Sequence, residues 1–157
     1  MIVMNPLYLD DLFISIITIL NDFKMIVKLE LLSKYHQNKI RKNNWYIPVK
    51  IKNDIILRHV INKYRLKNLD LSCKSFDINI FIKELKNCHT LDLYGTAITD
   101  ESVKELKNCH KLYLAGTKIT DASVKELKNC HTLYLYDTKI TNTCVNELRL
   151  NGCIIYK

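Results

Sequence analysis

Apolar residues recur every 21 positions through the second half of the chain. Leu91, Leu112, Leu133 and Ile154 form one series, and Leu93, Leu114, Leu135 and Tyr156 a second. Ile98, Ile119 and Ile140 form a third, and Ile82, Val103, Val124 and Val145 a fourth. A fixed period of this length is the mark of a stacked solenoid. Each unit reads L-x-x-C-x-x-L-x-L-x-x-T-x-I, as in Leu85, Cys88, Leu91, Leu93, Thr96 and Ile98. "ESVKELKN" and "ASVKELKN" place Val and Leu three apart on one helical face, and Thr99-Asp100 and Thr120-Asp121 stand where N-cap side chains belong. An earlier unit around "LKNLDLS" carries Leu69 and Leu71 one residue out of period.

The unit closely resembles the leucine-rich repeat. That resemblance implies an α/β solenoid over residues 66–157, with four to five units of short parallel strands and helical return arms. Thr96, Thr117 and Thr138 stand where many such repeats carry Asn, and a hydroxyl there can still bond to neighbouring backbone. Strand alternation then sorts the remaining residues. With Leu91 and Leu93 inward, Thr90, Asp92 and Tyr94 point out from the concave sheet. The next rows are Lys111, Tyr113 and Ala115, then Thr132, Tyr134 and Tyr136, and Asp70 precedes Asp92 if the early unit stacks. Tyrosine supplies large, rigid contact area with a polar tip, which suits protein recognition. Asp70, Asp92, Tyr94, Lys111, Tyr113, Tyr134 and Tyr136 are therefore the candidate target-binding residues.

Cys88-His89, Cys109-His110 and Cys130-His131 recur with the same period. Stacked units put equivalent residues about 5 Å apart, giving a line of like residues rather than a tetrahedral cluster, and the chain has no C-x-x-C. The cysteines are expected in the core between helix and strand. No metal or cofactor is expected.

Residues 1–45 follow a different logic. Leu12, Phe13, Ile14, Ile16, Ile17, Ile19 and Leu20 leave almost no polar face, so a helix there must be covered on all sides. Asn21-Asp22 can cap a second helix bearing Met25, Ile26, Leu29 and Leu32, and "SKYHQNKIRKNNW" reads as a third. The pattern resembles an F-box: Leu9-Asp10-Asp11-Leu12, then Ile16, Ile17 and Leu20, then Leu31-Leu32-Ser33-Lys34. Asp10 stands where that family most often has Pro. As a whole the chain resembles a compact F-box/leucine-rich-repeat protein, of the lysine- and asparagine-rich kind found in large DNA viruses and some protists. The resemblance implies a small all-α module at 1–45, a connecting segment at 46–65, and the repeats. It also implies a substrate-recognition adaptor, not an enzyme. Leu9, Asp10, Leu12, Phe13, Ile16, Ile17 and Leu20 would dock a Skp-family adaptor, and through it a cullin ubiquitin ligase, while the repeats hold a target protein. A repeat scaffold without ligase coupling is the alternative.

Composition changes this picture little. Three Gly leave no phosphate-cradling loop, and no nucleophile motif or metal triad is present. The net charge of +8 comes from 20 Lys and 4 Arg in a chain rich in Ile and Asn, whose codons, like those of Lys, are A/T-rich. Residues 34–67 hold ten basic residues against Asp54 alone, which keeps a nucleic-acid-binding reading as a lesser alternative. "LFISIITIL" falls far short of the roughly 20 residues of a membrane span, and no basic region precedes it. The expectation is an intracellular protein, cytoplasmic or nuclear (in the host cell if viral), with reduced thiols and no membrane partner.

Overall fold

The computed structural model describes residues 44–51, 54, 57, 58, 61, 64–72 and 75–157. The F-box-like positions Leu9, Asp10, Leu12, Phe13, Ile16, Ile17 and Leu20 lie outside the described residues. Six strands form one parallel sheet whose spatial order is the chain order: β1 (Asn44–Lys50), β2 (Arg65–Asp70), β3 (Thr90–Asp92), β4 (Lys111–Tyr113), β5 (Thr132–Tyr134) and β6 (Ile154–Tyr156). Between strands run a 3-10 turn (Ile78–Phe81) leading into α1 (Ile82–Leu85), then α2 (Asp100–Lys104), α3 (Asp121–Val124) and α4 (Asn142–Leu150). The architecture is α/β.

Sequence period and sheet register coincide in the middle of the array. Leu91 pairs with Leu112 and Leu112 with Leu133, so each 21-residue step advances one strand. Leu91, Leu93, Leu112, Leu114, Leu133 and Leu135 are all fully buried. Against them pack Ile82 and Leu85, Val103 and Leu106, Val124 and Leu127, and Val145 and Leu148 from the return arms. Burying one such side chain contributes about 1.5–3 kcal/mol. That contribution is what holds the helices, since segments of four or five residues are unstable alone.

Polar residues of the repeat close the turns. The hydroxyls of Thr96, Thr117 and Thr138 donate to the carbonyls of Leu93, Leu114 and Leu135 at 2.8, 2.6 and 2.7 Å. Thr99, Thr120 and Thr141 are the N-caps, accepting from Ser102, Ala122 and Cys144 N–H. The aspartates do something else: Asp100 accepts from the N–H and hydroxyl of Thr120, and Asp121 from those of Thr141. Each carboxylate thereby ties its helix to the cap of the next one. The turns after β3, β4 and β5 need a left-handed residue, supplied by Gly95 and Gly116 and then by Asp137 at φ 54°, a residue type that tolerates this region.

The ends of the array depart from the period. Leu69 pairs with Leu91 across 22 residues, so the early unit absorbs its extra residue in the arm and keeps its leucines inward. β1 takes in Asn44 and Trp45, expected as the end of a third helix and here paired with Arg65 and Leu66. It also takes in the first residues of the expected connecting segment 46–65, which buries Val49, Ile51, Leu57 and Tyr64. Val49 and Ile51 alternate with period two and extend the inward face of β2.

The last unit corrects the expected inward series. Leu133 pairs with Ile155, not Ile154. Ile155 is 7% exposed, whereas Ile154 and Tyr156 are 44% and 43% exposed on the opposite face. The cause is α4, a nine-residue helix ending in Gly152 at φ 90°. Cys153 N–H donates to Leu148 and Gly152 N–H to Arg149, the paired bonds of a Schellman ending. This arm is one residue longer than those of α2 and α3, and a one-residue slip turns every strand side chain over.

Candidate functional site

The outward face of the sheet carries three rows of side chains. One runs Asn68, Thr90, Lys111, Thr132, Ile154; the next runs Lys50, Asp70, Asp92, Tyr113, Tyr134, Tyr156. The third holds Tyr94, Ala115 and Tyr136. All seven expected target-binding residues stand in these rows. Tyr94 and Tyr136 are each 49% exposed, while Ala115, short and set between them, is buried.

In-register parallel strands bring equivalent side chains to about 4.8 Å, close to the stacking distance of aromatic rings. Tyr113 and Tyr134 have centroids 4.3 Å apart at 11°, and Tyr134 and Tyr156 4.6 Å apart at 8°. The Lys111 amine lies 5.1 and 5.2 Å from the Tyr113 and Tyr134 centroids. Hydrogen bonding to Tyr113, joined by Tyr134, raises its pKa. Tyr156 belongs to this stack and was missed from the sequence, because the 21-residue series assigned it inward. The signal available was "GCIIYK", where Ile155 alternates against Ile154 and Tyr156 after a helix-ending Gly.

The other end of the face is acidic. Asp70 and Asp92 are register partners on adjacent strands. Lys50 pairs with Asp70 at 3.2 Å, and Ser72 donates to the same carboxylate from its N–H and hydroxyl. These bonds outweigh burial and hold the Asp70 pKa below the usual carboxylate value. Asp92 accepts from Tyr94 N–H. Burial, reinforced by the charge of Asp70, raises its pKa.

A second column runs along the start of the strands. His89, His110 and His131 stack with centroids 4.6 and 4.5 Å apart. Nδ1 of His89 and His131 meets the hydroxyl of Thr90 and Thr132, while His110 is followed by Lys111. Burial, then its two histidine neighbours and Lys111, lowers the His110 pKa. The companion cysteines are buried: Cys88 and Cys130 are pushed up to about 12 by burial, and Cys109 is raised further for the same reason. Such thiols are neutral and poor ligands. Among the described residues no group of three or more His, Cys, Asp or Glu could hold a metal ion, and no helix is long and apolar enough to cross a membrane.

No protein-family model matches the chain, and no curated protein matches its sequence.

Proposed function

We propose that the chain is a substrate-recognition adaptor of a Skp–cullin–F-box ubiquitin ligase, a leucine-rich-repeat solenoid preceded by an F-box-like helical module. The observation that carries the repeat half is the match between the 21-residue period and the strand register at Leu91, Leu112 and Leu133. The outward face, taken as the concave surface of the solenoid, supports a target-binding role because it gathers five tyrosines beside two carboxylates. The F-box half rests on the resemblance at Leu9-Asp10-Asp11-Leu12, Ile16, Ile17 and Leu20. In this reading the chain supplies proximity and orientation. It contributes no catalytic group and needs no cofactor.

The test is co-purification of the full chain from a eukaryotic lysate. A Skp-family adaptor and a cullin are expected with the native chain and with Lys42→Ala. Leu12→Asp and Ile16→Asp lose both while the sheet stays folded by circular dichroism. Capture of other proteins without the adaptor assigns the uncoupled scaffold, and capture of RNA assigns nucleic-acid binding.

A further inference from the structure

We infer that the outward face takes an extended segment of the target carrying an arginine three residues from an aromatic or bulky aliphatic side chain. This rests on the target-binding reading above and specifies the chemistry of the partner. The face is polarised along the strand order. Lys50, Asp70 and Asp92 occupy the β1–β3 end, while Tyr113, Tyr134 and Tyr156 occupy the β4–β6 end with Tyr136 and Ile154 beside them.

The acidic end has a place for one more cation. Lys50 and Ser72 engage Asp70, whereas Asp92 receives Tyr94 N–H and, among the described residues, no ion pair. Its register partner on the other side is Tyr113. One face of Tyr113 lies against Tyr134, so the opposite face turns toward Asp92. A carboxylate beside the ring face that the tyrosine stack leaves uncovered suits a guanidinium, which bonds the carboxylate through its planar fork and stacks on the ring. The Lys111 amine, 5.1 Å from the same ring centroid, is its cationic neighbour. The ammonium of lysine matches only the charge.

The spacing follows from sheet geometry. Asp92 and Tyr134 are two strands apart, about 10 Å at 4.7–4.9 Å per strand. A peptide in the extended polyproline II conformation covers this in about three residues of 3.1 Å, with side chains i and i+3 on the same face of its three-fold helix. The net charge of +8 does not reverse this preference. Charges beyond the Debye length, about 8 Å at physiological salt, are largely screened, and Asp92 adjoins the docked residue.

The experiment is selection of a random peptide library on the folded full chain, followed by titration of a selected peptide by fluorescence polarisation. Selected peptides should share an Arg three positions from Phe, Tyr, Trp, Leu or Ile, in either chain direction. Asp92→Asn should remove the Arg preference and weaken binding at least tenfold while the apolar preference remains. Tyr134→Ala should do the converse. Selected peptides without a basic residue, an Arg preference that survives Asp92→Asn, or no selection at all on folded protein would each overturn the proposal. Adaptor co-purification, measured on the same preparation, is independent of these outcomes. A chain that captures Skp but selects no such peptide keeps the ligase reading and loses this one, and the reverse result does the opposite.

Discussion

Tyr113 and Tyr134 stand side by side on β4 and β5 with their rings 4.3 Å apart and 11° from parallel. Tyr134 also stacks on Tyr156, so it is the ring with an aromatic neighbour on both sides. Each aromatic pair contributes about 0.5–1.5 kcal/mol beyond area burial. Tyr134→Ala should therefore cost about 1–3 kcal/mol, more than Tyr113→Ala, and Tyr136→Ala should cost least. Chemical denaturation of the three variants orders them. An equal cost for all three would mean that the stack contributes nothing to stability.

The register of the last strand gives the sharpest contrast between neighbouring positions. Ile155→Asp places a carboxylate in the core and should destabilise by at least about 3 kcal/mol. Ile154→Asp, on the outward face, should change stability by less than about 1 kcal/mol. Thermal melts of both variants suffice. If Ile154→Asp were the damaging one, the 21-residue series would continue to the last strand and Tyr156 would leave the tyrosine stack.

Buried thiols with raised pKa values should be unreactive in the native state. Cys88, Cys109 and Cys130 should resist a maleimide or disulfide reagent at pH 8 and react when the chain unfolds. Cys109→Ser substitutes a more polar hydroxyl at a fully buried site and should cost about 1–3 kcal/mol. Stoichiometric zinc in purified protein, with unfolding on chelation, would contradict a purely structural column.

The helix-to-helix bridges should appear in both mutation and pH dependence. Thr141→Val removes the cap of α4 and a 2.6 Å bond to Asp121, and should cost about 1–2 kcal/mol. For Asp121, bonding to Thr141 holds the pKa below 3.8; for Asp100, burial acts upward but bonds from Thr120 outweigh it. Depressed values mean that the unfolded chain binds protons first. The stabilisation is present above pH 3.8 and is lost as pH falls through the folded values. Acid titration of Asp121→Asn should lose part of that transition.

The histidine stack acts in a different pH window. His110 has a folded pKa below its ordinary 6.5, set by burial and then by His89, His131 and Lys111. Between those values the unfolded chain again binds more protons, so stability rises with pH there and is lost as pH falls below 6.5. The melting temperature should drop from pH 7.5 to 5.5, and His110→Gln should flatten the drop. An identical slope in the variant would show that the stacked rings do not resist protonation.

The interior of the middle units was legible in the sequence. Leu91, Leu93, Val103, Leu106, Cys109 and Ile119 each recur at a 21-residue interval. In a stacked array the same contact is made again by the next copy, so repetition itself reports burial. The N-caps were legible to within one residue: Thr99 and Thr120 cap, while Asp100 and Asp121 bridge to the following unit. That division depends on a neighbour about 20 residues away, and no local pattern contains it.

Residue order was enough to read the period, the inward leucines and the outward residues from Asp92 to Tyr136. How the ends join came from the packing of the folded chain. That packing placed β1 in the sheet through Val49 and Ile51, kept Leu69 against Leu91 despite an extra residue, and turned Ile155 inward so that Tyr156 joined Tyr134. Strand side chains alternate with a period of two, so face assignment depends on the length of the preceding arm to a single residue. That length is set where a helix stops: Gly152 marks the stop in the residue order, but that it lengthens the arm by one residue and turns Ile155 inward is decided by how α4 packs and ends.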